Sequence, residues 1–203
     1  MKIEEKVYQL PDIDLLNSMR YEKLEVWRPD KTYIILGRAN KAEDSLITKL
    51  VSEDYVEVQK RPTGGETVIL SPNMLVISML MHVEKGISPQ QYFMKPNNIL
   101  ISILRNNGVK NINSKGISDI SIGDKKILGS AIFRNTVSVF YHAILNVSED
   151  ISLISKYLKH PKREPDYRLG RAHSEFVTSL WEANYCLDID TLKTQLENWK
   201  ANG

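Results

Sequence analysis

The spacing of apolar and polar positions divides the chain into short segments of two kinds. Lys6 to Leu10 reads as a short first strand, and Thr32 to Leu36 (TYIIL) as a β-branched, aromatic strand ended by Gly37. Val56-Glu57-Val58 alternates; Thr67 to Leu70 and Met74 to Met81 read as strands divided by the breaker Ser71-Pro72-Asn73. Further short strands are expected near Val109 to Ile112, Ser118 to Ile122, Lys125 to Phe133 and Val137 to Asn146. Gly123-Asp124 joins two of them as a two-residue turn with glycine first, the type II′ hairpin pattern.

The remaining segments carry helical spacing. Asp12 to Glu25 has Leu15, Leu16, Met19 and Leu24 on one side, with Asp12 or Asp14 as N-cap; Ala42 to Val51 has Leu46, Ile47 and Leu50. Ser88 as N-cap and Pro89 at the first helical position open a helix that runs to about Asn106. Ile151 to Leu158 and Ser174 to Trp181 follow, and a last helix begins near Asp188 or Asp190 with Leu192, Leu196 and Trp199 on one stripe. Helices flanking a mainly antiparallel sheet predict an α+β fold, and the length of 203 residues predicts one domain over residues 1–203.

Composition narrows the function classes. A hydrophobic content of 42% with 26% charged residues is that of a soluble globular protein, and a net charge of +2 is too slight to point to nucleic acid. The lone Cys186 has no partner for an intramolecular disulfide, which fits a reducing compartment. The N-terminus MKIEEKVYQLPDIDLL is acidic where a signal peptide is apolar, and the run Met74 to Met81 is too short to cross a bilayer. A cytoplasmic protein without a membrane or nucleic-acid partner is expected.

Three segments can carry chemistry. In KRPTGGETV, Lys60 and Arg61 precede a turn whose Gly64 and Gly65 let backbone N–H groups approach an anion; a plain strand connection with exposed charges explains the same residues. LGRAN puts Arg38 directly after a buried strand, where a solvated arginine is equally natural. In SDISIGDKKILGSAIFR, strict alternation puts Lys126, Leu128 and Ser130 on one face and Lys125, Ile127, Gly129 and Ala131 on the other. One lysine can aim at a phosphate or carboxylate as a compact point charge, and alternation does not choose between them.

Together the order GRAN, RPTGG with a valine close behind, SDISIGDKKILGSA and HAIL resembles the catalytic domain of lipoate–protein ligase A and its lipoyl and octanoyl transferase relatives. The likeness spans roughly Thr32 to Asn146, with REPDYRLGRAHSEF similar to a later loop of some members. It implies the biotin/lipoate protein ligase-like catalytic fold and an ATP- and Mg²⁺-dependent reaction, in which the lipoate carboxylate attacks the α-phosphate and the acyl group then passes to a lysine of a lipoyl-domain acceptor. By the resemblance Lys126 is the catalytic lysine and Lys125 its solvated neighbour. Arg38, Arg61, Gly64 and Gly65 line the acyl and phosphate end, Gly129, Ser130 and Ala131 leave room for substrate, and Asp119 is a partner for adenylate or Mg²⁺. His142 reads as a packed strand residue. His173 and the arginines Arg163, Arg168 and Arg171 form a charged loop that suits an acidic acceptor.

The chain departs from the family pattern at several points. Glu66 stands where the family loop has a third glycine, Lys60 replaces an arginine, and the first helix lacks the family Asp-Glu pair. The chain ends soon after the catalytic pattern, so a single catalytic domain without the C-terminal accessory domain is expected, with either a separate partner subunit or the use of pre-activated lipoyl-adenylate. An octanoyltransferase would use a cysteine thioester. Cys186 lies beyond the sheet and reads as a small, buried or partly buried hydrophobe, which favours the ligase over the transferase; a non-catalytic paralogue that binds a lipoyl carrier, with Glu66 marking a lost nucleotide site, is the other alternative.

Overall fold

The computed structural model describes residues 3–18 and 20–199. Two sheets organise it. The smaller contains β1 (Glu5–Val7), β3 (Tyr33–Leu36), β4 (Glu57–Lys60) and β5 (Val68–Leu70) in the order β1-β4-β3-β5, with β5 antiparallel and the other neighbours parallel. The larger is antiparallel throughout, ordered β2-β6-β10-β9-β8-β7, and comprises β2 (Leu24–Trp27), β6 (Met74–His82), β7 (Ile112–Lys115), β8 (Asp119–Ile122), β9 (Lys125–Arg134) and β10 (Ser138–Asn146). The fold is α+β with a mostly antiparallel sheet, as expected.

Alternation along the two long strands explains the layers. Leu75, Ile77 and Met79 of β6 and Tyr141, Ala143 and Leu145 of β10 face one way, into the main core. That core also takes Ile99, Leu100 and Leu104 of α4 (Met94–Asn106) and Leu192 and Leu196 of α7 (Ile189–Glu197). Val76 and Ile144 point the opposite way and meet Tyr33, Ile35 and Leu70 of the small sheet. The far side of the small sheet buries Ile34, Leu36, Val58 and Ile69 against α2 (Ala42–Ser45), α3 (Thr48–Glu53) and α5 (Ile151–Tyr157). The sheets therefore share an apolar seam, and the polar site lies beside it on the large sheet's second face.

Several local expectations hold. Pro89 begins a 3₁₀ turn (Pro89–Phe93) that leads into α4, and Gln91 Oε1 accepts from the Ser88 N–H as a capping box requires. Asp188 caps α7 by accepting from Thr191 N at 2.8 Å.

Others are corrected. The expected helix from Asp12 to Glu25 is a single turn, α1 (Ile13–Leu16); Met19 lies outside the described residues, and Leu24 begins β2, paired with β6. The Ala42–Val51 helix breaks at Leu46-Ile47, where the backbone turns outward to bond Tyr157 O and bridge Leu158. The strand expected near Val109 to Ile112 begins only at Ile112. The helix expected from Ser174 to Trp181 is one turn, α6 (His173–Phe176), after which Val177 runs extended beside Lys126. Among the described residues no helix is long and apolar enough to cross a membrane.

Candidate functional site

The β8–β9 hairpin builds one wall. Its register passes from Ile120–Leu128 to Ser121–Lys126, so Ile127 has no partner and forms a β-bulge. The extra residue changes the parity of the strand. Ile127 and Leu128 both enter the core, while Lys126 emerges on the face of Asp119 and Gly129. This corrects the expectation that Lys126 shares a face with Leu128 and Ser130. Lys125, paired with Ile122, is exposed.

The Lys126 ammonium lies 2.9 Å from Asp119 Oδ1, with side-chain exposures of 27% and 5%. Gly129 sits directly opposite Asp119, and a Cβ there would fall 2.6 Å from Lys126 Nζ. The missing side chain at Gly129 is thus the channel through which the lysine reaches the carboxylate. The main chain of Lys126 is fixed as well, its carbonyl accepting from Thr178 N at 2.9 Å. Ser130, on the other face, donates to Ser118 O at 2.5 Å and ties the hairpin to the loop before it.

The glycine loop forms the second wall. Arg61 is buried, and its guanidinium donates to Gly64 O at 3.1 and 2.9 Å, Glu66 O at 2.8 Å and Ile35 O at 3.3 Å. A planar fork suits such a set of carbonyls, so Arg61 acts here as the internal strut of the loop. Burial draws its pKa down to about 10, opposed by Tyr8, Asp12 and Glu66. Gly65 has φ +96°, and a Cβ on it would stand 2.7 Å from Arg61 Nη2 and 3.3 Å from the Ala131 methyl. Gly37 is tighter still, since a Cβ there would lie 2.0 Å from Gly65 O. Arg38 N donates to Thr63 O at 2.9 Å, while the Arg38 side chain is exposed at the rim. LGRAN, RPTGG and the KKILGSA strand, read separately along the chain, meet at Gly37, Gly65 and Ala131.

The lesser candidates fall in different places. Lys60 points to the edge of the small sheet and pairs with Glu5 at 3.2 Å. Glu66 is half-buried, with its carbonyl held by Arg61. His142 pairs with Ala131 across the strands and sits 3.3 Å from Thr63 Oγ1 beneath the loop; burial and the nearby Arg61 charge hold its pKa down to about 3. His173 lies by Lys159 O at 3.2 Å, its pKa lowered mainly by burial. Arg171 donates to Arg168 O, Tyr167 O and Asp124 O. Arg168 was expected on a charged surface but is buried, its guanidinium 4.9 Å from the Phe176 ring centre and its Nε 2.9 Å from Arg171 O. Cys186 is exposed rather than buried or partly buried.

Two contributors escaped the sequence reading. Asp12, expected as a helix cap, makes no side-chain cap bond; it accepts from Tyr8 OH at 2.5 Å and Ser78 Oγ at 2.9 Å, and burial pushes its carboxyl up. Tyr167 donates to Asp119 Oδ2 at 2.8 Å. Both partnerships join residues distant in sequence, and only the alternation of Ser78 with core residues on β6 hinted at the first.

Comparison with known proteins bears on the family and the fold. The family model of the lipoyl protein ligase A/B catalytic domain matches residues 13–199. A lipoate-protein ligase A of Psychrobacter cryohalolentis is 28% identical over 172 residues, covering 83% of this chain and 48% of that protein. Among solved structures, a bi-partite lipoate protein ligase from Thermoplasma acidophilum superposes with a TM-score of 0.78 at 21% identity, over 97% of this chain and 81% of that one. A lipoate-protein ligase A bound with ATP gives 0.75 at 21% identity, over 97% and 83%. The chain spans between 35% and 49% of the length of the curated relatives it matches. With the family model covering nearly the whole chain, the protein belongs to the lipoyl protein ligase A/B catalytic domain family.

Proposed function

We propose that the chain is the catalytic domain of an ATP-dependent lipoate–protein ligase. The observation that carries this reading is the Lys126 ammonium, delivered by the bulge at Ile127 through the gap at Gly129 to a wall facing the glycine loop. In the first half-reaction the lipoate carboxylate attacks the α-phosphate of ATP, forming the mixed anhydride lipoyl-AMP and releasing pyrophosphate. In the second, the ε-amine of an acceptor lysine attacks the acyl carbon and AMP leaves with the C–O bond electrons. Negative charge builds at the phosphoryl and then the acyl oxygens. A prepositioned ammonium stabilises that charge without reorganising, a contribution of about 10²–10³ in rate for one such donor.

The supporting roles follow from position. Gly64 and Gly65, stiffened by Arg61, offer backbone to the acyl and phosphate end, and Arg38 stands at its rim. Ala131, small and next to Gly65, keeps that gap open. Among the described residues no group of His, Cys, Asp and Glu is built to hold a metal by itself. Mg²⁺ would enter with the substrate phosphates and take one or two protein carboxylates, and Asp119, already paired with Lys126, is the carboxylate at hand. His142, held neutral, packs under the loop.

The acceptor is a lipoyl-domain protein, and Arg171, which reaches Asp124 O of the hairpin turn, with the exposed Arg163 of the same loop suits an acidic surface. The bi-partite lipoate protein ligase of Thermoplasma acidophilum, described together with its E2 lipoyl domain, supports an accessory subunit acting with this chain. ATP use and the single thiol fit a cytoplasmic enzyme. The test is mass spectrometry of a lipoyl-domain acceptor incubated with the protein, lipoate, ATP and Mg²⁺, with Lys126→Ala as control. A lipoyl mass gain lost in the variant is expected. Transfer only from synthetic lipoyl-adenylate would assign activation to a partner subunit, and no transfer from either would overturn the ligase reading.

A further inference from the structure

Asp119 is held from two sides. Its Oδ1 accepts from Lys126 at 2.9 Å, and its Oδ2 accepts from the Tyr167 hydroxyl at 2.8 Å. Tyr167 belongs to none of the three converging motifs. It comes from a 3₁₀ turn (Asp166–Arg168) in the later loop, and its ring packs 5.1 Å from the Phe176 ring and against Gly116. The turn is tied down, because Arg168 is buried over Phe176 and Arg171 donates to Tyr167 O.

We propose that Tyr167 is a positioning residue for Lys126: by fixing Oδ2 of Asp119 it sets the carboxylate plane so that Oδ1 holds the ammonium over Gly129. A carboxylate bonded at one oxygen alone turns about its Cβ–Cγ bond. The lysine head, at the end of a flexible four-carbon stem, would follow it. The same contact makes the placement of the later loop a condition for the placement of the site charge. The catalytic consequence rests on the ligase reading, whereas the effect on Lys126 itself does not.

The experiment is trace acetylation with acetic anhydride over a pH series, comparing Lys126 with its exposed neighbour Lys125 by fragment-ion mass spectrometry. Tyr167→Phe keeps the ring and removes the hydroxyl. It should raise Lys126 reactivity relative to Lys125 by about fivefold to tenfold, the scale of one ordinary hydrogen bond. The turnover of lipoyl transfer should fall by a similar factor with little change in KM. Gly116→Ala is the second variant: at φ +59° it strains the loop backbone and sets a methyl 3.3 Å from Tyr167 Cε1 while the hydroxyl remains, and it should shift Lys126 in the same direction. If both variants leave the Lys126 profile unchanged while Asp119→Asn alters it, Tyr167 only fills space and the proposal is overturned. A labelling shift in a protein that transfers no lipoyl group would sink the ligase reading and leave this one standing.

Discussion

Gly129 is empty for the sake of Lys126: a Cβ at Gly129 would lie 2.7 Å from the lysine Cε and 2.6 Å from its Nζ. The obstructed atoms are the mobile end of a side chain, so the fold can absorb a methyl group by moving the lysine. Gly129→Ala should therefore leave the melting temperature unchanged or slightly higher, because glycine inside a strand costs about 0.5–1 kcal/mol relative to alanine. Lipoyl transfer should drop about tenfold to a hundredfold as the ammonium leaves its place. Thermal denaturation beside an acceptor-lipoylation assay separates the two effects, and a parallel loss of both would show that the gap serves the strand rather than the lysine.

Arg61 presents the opposite case, a cation whose worth is structural. Its four hydrogen bonds to carbonyls of Ile35, Gly64 and Glu66 need the guanidinium fork. Arg61→Lys keeps the charge but can satisfy fewer of these acceptors from a single point. A stability loss of about 2–4 kcal/mol is expected, in line with one or more buried acceptors left unpaired. Urea denaturation measures it. A change below about 0.5 kcal/mol would mean that the loop keeps its shape without the strut and that Arg61 is available for substrate instead.

How far these features could be read from the chain depends on whether their causes are local. The Gly123-Asp124 turn, the Ser88-Pro89 helix start and the cap at Asp188 depend on neighbours within a few residues, and all three are legible. The face of Lys126 is not, because the bulge at Ile127 arises from the register against β8 and reverses the alternation on which the reading relied. Leu24-Glu25 reads as a helix end because so short a stretch carries too little period to distinguish; in β2 its partner β6 decides the matter. Asp12 and Arg168 were misjudged for a related reason. Each is a charged residue whose burial depends on distant groups, Ser78 for the first and Phe176 for the second. The motifs that meet at the site were visible as a resemblance, and their convergence at Gly37, Gly65 and Ala131 required the fold.

His142 gives the chain a specific acid sensitivity. Burial and Arg61 hold its pKa down to about 3 in the folded state, against about 6.5 for a free histidine. Between those values the unfolded chain binds a proton that the folded chain refuses. Stability from this residue is therefore fully present above about pH 6.5 and is lost as pH falls toward 3, with a slope of about 1.4 kcal/mol per pH unit. Asp12, whose carboxyl is pushed up, acts in the opposite sense, so the residue's share is read as a difference between variants. His142→Asn should flatten the dependence of urea stability on pH between neutrality and pH 5 relative to the unaltered chain. An unchanged slope would place the titration elsewhere.

Cys186 tests the choice between ligase and thioester chemistry. It is exposed, in the stretch leading into α7, and α7 packs on the core face of the large sheet while Lys126 emerges on the opposite face. An acyl group parked on that sulfur would sit away from the glycine loop and from the ammonium that stabilises the transferring carbonyl. A ligase has no need of the thiol, since the mixed anhydride with AMP is the activated species. Cys186→Ser should thus retain lipoyl transfer from lipoate and ATP within about twofold, and intact-mass analysis of the unaltered protein after incubation with octanoyl-acyl carrier protein should show no octanoyl adduct. Transfer abolished by the serine substitution, together with an adduct removable by hydroxylamine, would identify a thioester intermediate and move the chain to the transferase branch.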